Sequence, residues 1–170
     1  LLDRFYSEIS TRFLMKREAG LKLYCGLHCT YDDVSAHMNQ SGLIEDTARL
    51  ADVLGSKTVR TPVHPAFDNF TPADLVRDAA SRVDYDAYPY RQILGKVACV
   101  AYSTRNDVLW IVAELQRYQT CNGRKAIDAL THLVRYLYST KTRSLTFRTG
   151  YYHAESLLAF VDVSYATCAI

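Results

Sequence analysis

Apolar and polar residues alternate with two different periods in the N-terminal third of the chain. Leu2, Phe5, Ile9 and Phe13 recur every three or four residues, which predicts an opening helix. The pattern of residues 21–31 predicts an extended strand, and that of residues 34–39 predicts its antiparallel partner. The chain therefore begins with a helix followed by a β-hairpin.

Turn and helix-end signals punctuate this region. Asp32-Asp33 separates the two predicted strands, and aspartate tolerates the backbone angles of tight turns. A second helical stripe covers residues 43–54 and stops at Gly55, since glycine favours the residue that follows a helix. Residues 57–70 have no periodicity and contain two prolines, so we expect an extended connector there.

The second half of the chain is predominantly helical in pattern. Thr71-Pro72 has the chemistry of an N-cap followed by a first helical residue. Three wide apolar stripes then predict helices near residues 90–102, 107–119 and 124–139 that pack as a small bundle. Two short strands are expected at the end, near residues 144–148 and 157–163. The predicted fold class is α+β: helix, β-hairpin and helix, then a helical bundle, then two short strands.

Composition allows a substantial core but gives no strong functional signal. The 170 residues are 49% hydrophobic and carry a formal net charge of +2. The charge is uneven, because residues 105–148 hold eight basic and three acidic residues. This basic half is compatible with phosphate contact or with an ordinary solvated helical surface.

Cysteine usage and hydropathy indicate an intracellular protein. The number of cysteines is five, and their scattered spacing argues against a disulfide framework and suits a reducing compartment. No apolar run is long enough to span a bilayer, and no targeting pattern opens the chain. We therefore expect no membrane span.

Ordered motifs in the helical half resemble a known family. They are Tyr90-Arg91-Gln92-Ile93-Leu94-Gly95, Ala101-Tyr102, Thr104-Arg105-Asn106-Asp107, Leu133-Val134-Arg135-Tyr136-Leu137, Thr140-Lys141 and Leu145-Thr146-Phe147. The series resembles the segment of copia-type (Pseudoviridae) LTR-retrotransposon polyproteins that joins reverse transcriptase to ribonuclease H. Asn106 departs from the family, which prefers proline there. Tyr138, Ser139 and Ser144 stand at or near family glycines.

Further matches flank this series in the same order. They are Phe13-Leu14-Met15-Lys16, Gly26-Leu27, Gln40, Thr61-Pro62-Val63 and Leu158-Ala159-Phe160-Val161-Asp162-Val163-Ser164-Tyr165-Ala166. The resemblance thus covers nearly the whole chain. It implies a thumb-like segment over residues 1–56, a connector over 57–70, a helical connection region over 71–143 and the start of a truncated ribonuclease H-like sheet over 144–170.

The family's polymerase chemistry is not expected from this chain. Its palm carries a Tyr-x-Asp-Asp hairpin whose carboxylates hold two metal ions. Tyr31-Asp32-Asp33 lacks the intervening residue and follows Gly26-Leu27, whereas the palm hairpin precedes that point. We interpret it as a turn, and we expect the chain alone to be inactive.

Asp162 is the one candidate catalytic residue. By the resemblance it is the aspartate of the first ribonuclease H strand, which binds metal together with other acids. It would act only if missing partners completed the site; otherwise it is an ordinary strand-end aspartate. We expect no cofactor and no metal for this chain alone, and Mg²⁺ for the complete family enzyme.

The spacing along the chain does not support a metal site formed by Cys25, His28 and Cys29. Alternation along a strand puts the cysteines on one face and His28 on the other. Zinc needs four convergent ligands, and no second pair is suitably spaced. Ordinary packed cysteines are the expected outcome.

The remaining candidate function is contact with a nucleic-acid backbone. Two groups of cations are candidates, each of which could instead be a solvated charged face. The first is Arg12, Lys16, Arg17 and Lys22, and the second is Arg124, Lys125, Arg135, Lys141 and Arg143.

Two functional hypotheses follow from the resemblance. In the first, the chain is a non-catalytic part of an RNA-directed DNA polymerase/ribonuclease H that grips the template-primer duplex. In the second, it is a domesticated retroelement fragment that serves as a structural or RNA-binding subunit of a larger assembly. The expected partners are an RNA/DNA duplex or a structural RNA, together with other protein chains.

Overall fold

The computed structural model describes residues 2–15, 20, 22–24, 26–65, 67, 74 and 87–150. This part contains five α-helices and a four-stranded antiparallel sheet, which confirms the predicted α+β class. The elements in chain order are α1 (Leu2–Ser10), β1 (Leu23–Tyr24), β2 (Leu27–Tyr31), β3 (Ser35–Asn39), α2 (Ser41–Leu50), α3 (Tyr90–Ser103), a 3-10 turn (Asn106–Val108), α4 (Leu109–Arg117), α5 (Arg124–Ser139) and β4 (Leu145–Arg148).

The region predicted as one strand over residues 21–31 forms two strands, β1 and β2, which pair with each other. Gly26 lies between them with a φ of 79°. This backbone angle is costly for residues with a Cβ, so glycine permits the reversal that the apolar pattern alone did not reveal.

The predicted turn between β2 and β3 is confirmed. The Val34 N–H donates to Asp32 Oδ1 at 2.9 Å, and the Asp32 N–H donates to the Ser35 carbonyl at 3.0 Å. The first of these hydrogen bonds lowers the pKa of Asp32. Asp32 therefore closes a tight turn in the way that aspartate commonly does.

Strand β4 confirms the strand predicted over residues 144–148. It pairs antiparallel with β3, with Met38 opposite Leu145 and Ser35 opposite Arg148. The sheet thus joins residues from the two ends of the described chain. The strand predicted over residues 157–163 and the helix start predicted at Thr71-Pro72 lie outside the described residues. The division into four segments stays a prediction.

Helix α2 ends before the predicted stop at Gly55. The Asp52 N–H donates to the Arg49 carbonyl at 3.2 Å, and the Val53 N–H donates to the Ala48 carbonyl at 3.0 Å. Asp52 has a φ of 53°. These two bonds define a Schellman motif, with aspartate at the position usually held by glycine. The motif turns Val53 into the core at 1% exposure.

The core lies where α2 packs against α3 and α5, and α4 packs against α3. The predicted inward stripes of α3, α4 and α5 are confirmed. Their largest fully buried side chains, with that of α2, are Ile44, Ile93, Ile111, Leu115, Leu130, Leu133 and Leu137. Full burial of such a side chain contributes about 1.5–3 kcal/mol, so this cluster is the main source of stability.

The extended segment after α2 lies along α5. The Val59 N–H donates to Ser139 Oγ at 3.4 Å, and His132 Nε2 donates to the Thr61 carbonyl at 2.9 Å. The His64 ring meets the His132 ring edge-on, with 5.1 Å between centroids. The segment is therefore packed onto the bundle as far as the structure describes it.

Protonation of His132 should weaken this packing. Burial lowers the pKa of His132, and the hydrogen bond to Thr61 offsets this shift only in part. The unfolded chain therefore takes up a proton first, and stability is lost as pH falls below about 6.5. Chemical denaturation between about pH 7.5 and about pH 5 should show a decline in the wild type that is smaller in His132→Gln.

The exposed His28 provides the matched control. His28→Gln should retain the wild-type decline, because its side chain is outside the core. A decline of equal size in His132→Gln and in the wild type would show that His132 does not link pH to stability.

Candidate nucleic-acid interface

A buried arginine lies at the junction of the helices. Helix α3 ends at Ser103, and the Arg105 N–H then donates to the Val100 carbonyl at 3.0 Å. This turn directs Arg105 into the interior, where the residue is 3% exposed. A buried guanidinium requires a counter-charge and acceptors for its N–H groups.

Asp107 supplies the counter-charge from the 3-10 turn. Arg105 Nε and Nη2 donate to its two carboxylate oxygens at 2.9 and 2.8 Å. The Tyr136 hydroxyl donates to Asp107 Oδ2 at 2.9 Å. Arg105, with help from Tyr136, lowers the pKa of Asp107. The pair is bidentate, which is the strongest geometry for arginine and a carboxylate.

The same arginine holds the C-terminus of α5. Arg105 Nη1 donates to the Thr140 carbonyl at 3.2 Å, where the helix has unpaired carbonyl groups. A cation is favourable at this end of the helix dipole. Arg143 reaches the network from beyond the helix, because its Nη1 donates to the Tyr136 hydroxyl at 2.9 Å.

Two further contacts tie α2 to this junction. The Thr104 hydroxyl donates to Gln40 Oε1 at 3.2 Å, and Gln40 is only 1% exposed at the start of α2. Further along α2, Lys141 forms an ion pair with Glu45. The hydrogen bond that Lys141 donates to Glu45 within this pair raises the pKa of Lys141. Helices α2, α3 and α5 are thus joined by polar contacts as well as by apolar packing.

We call Gln40, Thr104, Arg105, Asp107 and Tyr136 the polar network. All five belong to motifs that carry the sequence resemblance, although they come from three separate parts of the chain. Asn106, where the family prefers proline, is the first residue of the 3-10 turn. Proline also suits the first residue of a helix, so the proline of the family and the asparagine of this chain are both compatible with the turn.

Most predicted phosphate-binding cations of the second group already have a polar partner on the protein. Arg124 pairs with Asp128 at 3.0 Å, Lys125 pairs with Asp74 at 3.2 Å, and Arg143 binds the Tyr136 hydroxyl. Lys141 is the cation paired with Glu45. Arg135 differs, because its Nε is buried and has no hydrogen-bond partner among the described residues.

The first group of cations is only partly described. Arg12 and Lys22 are exposed. Lys16 and Arg17 lie outside the described residues, and so does the candidate catalytic Asp162. The structure does not bring Arg12 or Lys22 into contact with the polar network, and their role stays a prediction.

No metal centre forms in the described ranges. No three His, Cys, Asp or Glu residues within them come together in a way that could hold a metal ion. Cys29 is 5% exposed, whereas the neighbouring His28 on β2 is exposed, as strand alternation predicted. Cys25 lies outside the described residues.

Sequence reasoning missed two exposed cations, Lys57 and Arg60. They lie on the extended segment that packs along α5, and the chain from residue 53 to residue 67 contains no acidic residue. The absence of carboxylates from this stretch of sequence could have identified the two cations as candidates. Their position beside α5 depends on the tertiary path of the segment.

Comparison with known proteins identifies related sequences. The chain is 25% identical over 166 residues to the retrovirus-related Pol polyproteins from transposons RE1 and RE2 of Arabidopsis thaliana. Each match covers 98% of this chain and 11% of the relative. These similarities relate the chain to retrotransposon polyproteins, and the chain spans about a tenth of the length of those relatives.

Other comparisons add no assignment. No family model matches the chain, and no solved structure matches it. Within the described ranges, no helix is long and apolar enough to cross a membrane.

Removal of the Asp107 charge should destabilise the fold. Asp107→Asn leaves Arg105 at 3% exposure without its carboxylate, so we expect a loss of about 2–3 kcal/mol in unfolding free energy near neutral pH. The lowered pKa of Asp107 means that its contribution is present above the usual aspartate pKa. The difference from wild type should therefore shrink as pH falls through and below about 4.

Asp46→Asn is the matched control, since Asp46 pairs with Arg49 on an exposed face of α2. It should cost no more than about 1 kcal/mol. Equal losses for the two variants in urea denaturation would contradict a special role for the Arg105–Asp107 pair.

Proposed function

We propose that this chain is the non-catalytic portion of a copia-type reverse transcriptase that runs from the thumb into the first strand of ribonuclease H. In this role it grips the template-primer duplex. The observation that carries the proposal is the convergence of the polar network. Five of the residues that match family motifs, from three separate regions of the chain, form hydrogen bonds with one another.

This convergence supports a common fold with the family. A motif match alone can arise by chance in one region. Contact between the matched side chains gives these motifs a structural role. Arg105 requires Asp107 as its counter-charge, and Asp107 also accepts a hydrogen bond from the Tyr136 hydroxyl. The similarity to transposon Pol polyproteins over 98% of the chain supports the same origin.

The motifs serve the scaffold rather than catalysis in this proposal. Asp107 is neutralised by Arg105, and Tyr136, a residue of α5 that is 4% exposed, donates its hydroxyl hydrogen bond to Asp107. In the complete family enzyme, Mg²⁺ would be held by palm carboxylates and by ribonuclease H acids that include Asp162. Asp162 would act there only together with the other acids of that site.

The duplex would be held through its backbone. A thumb that must slide along any sequence gains affinity from phosphate contacts, which carry no base information. A bundle fixed by buried polar contacts and a well-packed core offers a rigid surface for such contacts. No described contact favours the alternative role as a domesticated subunit, so we do not propose it.

Binding of an RNA–DNA hybrid by the full chain tests this function. With a fluorescent hybrid of about 20 base pairs, the association constant should fall at least about tenfold between about 50 and about 200 mM salt. Binding should be similar for different hybrid sequences, because backbone contacts are sequence-independent.

A primer-extension assay with Mg²⁺ provides the accompanying control. The same preparation should bind the hybrid and extend no primer. Extension by the chain alone would overturn the interpretation of Asp32-Asp33 as non-catalytic. Failure to bind any hybrid at about 50 mM salt would overturn the proposed grip.

A further inference from the structure

Two anchors hold the extended segment against one face of α5. Val59 bonds to Ser139, and Thr61 bonds to His132. Arg135 lies between these two helix positions, three residues from one and four from the other, so it is on the same face of α5. Arg60 lies between the two anchored segment residues. Both arginines therefore border the same stretch of contact.

These arginines and the preceding lysine form what we call the basic seam: Lys57, Arg60 and Arg135. Lys57 and Arg60 are exposed, and Arg135 is half-buried. None of the three forms an ion pair with a carboxylate of the described chain. The buried Nε of Arg135 also lacks a hydrogen-bond partner there.

This arrangement contrasts with three exposed arginines that lie on helices. Arg4, Arg49 and Arg117 each pair with a carboxylate three or four residues away on the same helix. Such pairs form readily between residues three or four apart on a helix. The basic seam keeps its charges unneutralised, which is favourable only where solvent or an anionic partner meets them.

The length of the seam suits a nucleic-acid strand. Three residues of extended chain separate Lys57 from Arg60 by about 10 Å. A duplex strand advances about 3.4 Å along the axis per phosphate, and neighbouring phosphates lie farther apart than this because the strand winds around the axis, so the row can reach about two to three phosphates. Arginine donors also fit phosphate oxygens better than lysine donors do, because the guanidinium is a planar fork.

We propose that the basic seam is the surface of this chain that binds the sugar-phosphate backbone of a nucleic-acid duplex. The inference rests on the proposed duplex grip and names its location. It moves the expected contact away from Arg124, Lys125 and Lys141, whose charges are balanced by Asp128, Asp74 and Glu45. Of the cations predicted from the second half of the sequence, it retains Arg135.

The test compares salt dependence of hybrid binding for two triple variants. Lys57→Gln/Arg60→Gln/Arg135→Gln removes the seam. Arg4→Gln/Arg49→Gln/Arg117→Gln removes the same charge from arginines that are paired on their own helices. Loss of about three phosphate contacts should reduce the slope of log K against log salt by about 2–3 in the seam variant. The control should change the slope by less than about 1.

Folding and alternative partners are tested in the same series. If Arg135→Gln disturbs folding, the exposed double variant Lys57→Gln/Arg60→Gln should still reduce the slope by about 2. Wild-type binding with an unchanged slope in both seam variants would overturn the seam and leave the duplex grip standing. No binding by the wild type would overturn both. Binding of poly-glutamate in place of the hybrid would assign the seam to an acidic protein and overturn this proposal.

Discussion

A guanidinium at 3% exposure must have its charge balanced and its N–H groups bonded, and Arg105 meets this requirement through Asp107 and the Thr140 carbonyl. Loss of either partner would leave a buried donor unsatisfied. Because these partners lie on the 3-10 turn and at the end of α5, satisfying one side chain fixes two elements relative to α3. Apolar packing supplies most of the stability, whereas this pair ties the 3-10 turn and the end of α5 to the end of α3.

The consequences extend to the surface. With the C-terminus of α5 fixed, β4 follows at a defined position and pairs with β3. The C-terminal half of α5 also receives the extended segment, through Ser139 and His132. The basic seam is therefore formed by two stretches of chain that only the folded bundle brings together. In the proposed thumb role, a rigid interior network and a charged outer seam are two results of the same helix placement.

Periodicity predicted the helices well because each one buries a wide apolar stripe. The predicted limits of α5 match those observed, and the inward residues Ile93, Val97 and Leu130 are fully buried. Local reversals were less predictable. The split at Gly26 and the Schellman motif at Asp52 that follows α2 depend on positive φ angles, which the apolar pattern does not encode. The pairing of β4 with β3 depends on contacts more than a hundred residues apart.

The candidate interface shows the same limit. The pairing of Arg124 with Asp128 follows from their spacing on one helix and could have been predicted from sequence. The neutralisation of Lys141 by Glu45 could not, because it depends on how α2 packs near the end of α5. Lys57 and Arg60 were missed for a related reason. The two prolines predicted that this segment is extended. They did not predict its path along α5, which places Lys57 and Arg60 beside Arg135.

A double-mutant cycle between Asp107 and Tyr136 tests most directly whether the motif residues act as one network. Unfolding free energies would be measured for Asp107→Asn, Tyr136→Phe and the double variant. We expect a coupling energy of at least about 0.5 kcal/mol, because the Tyr136 hydroxyl donates to Asp107 across two separate motifs. Additive losses, with no coupling beyond about 0.3 kcal/mol, would contradict it.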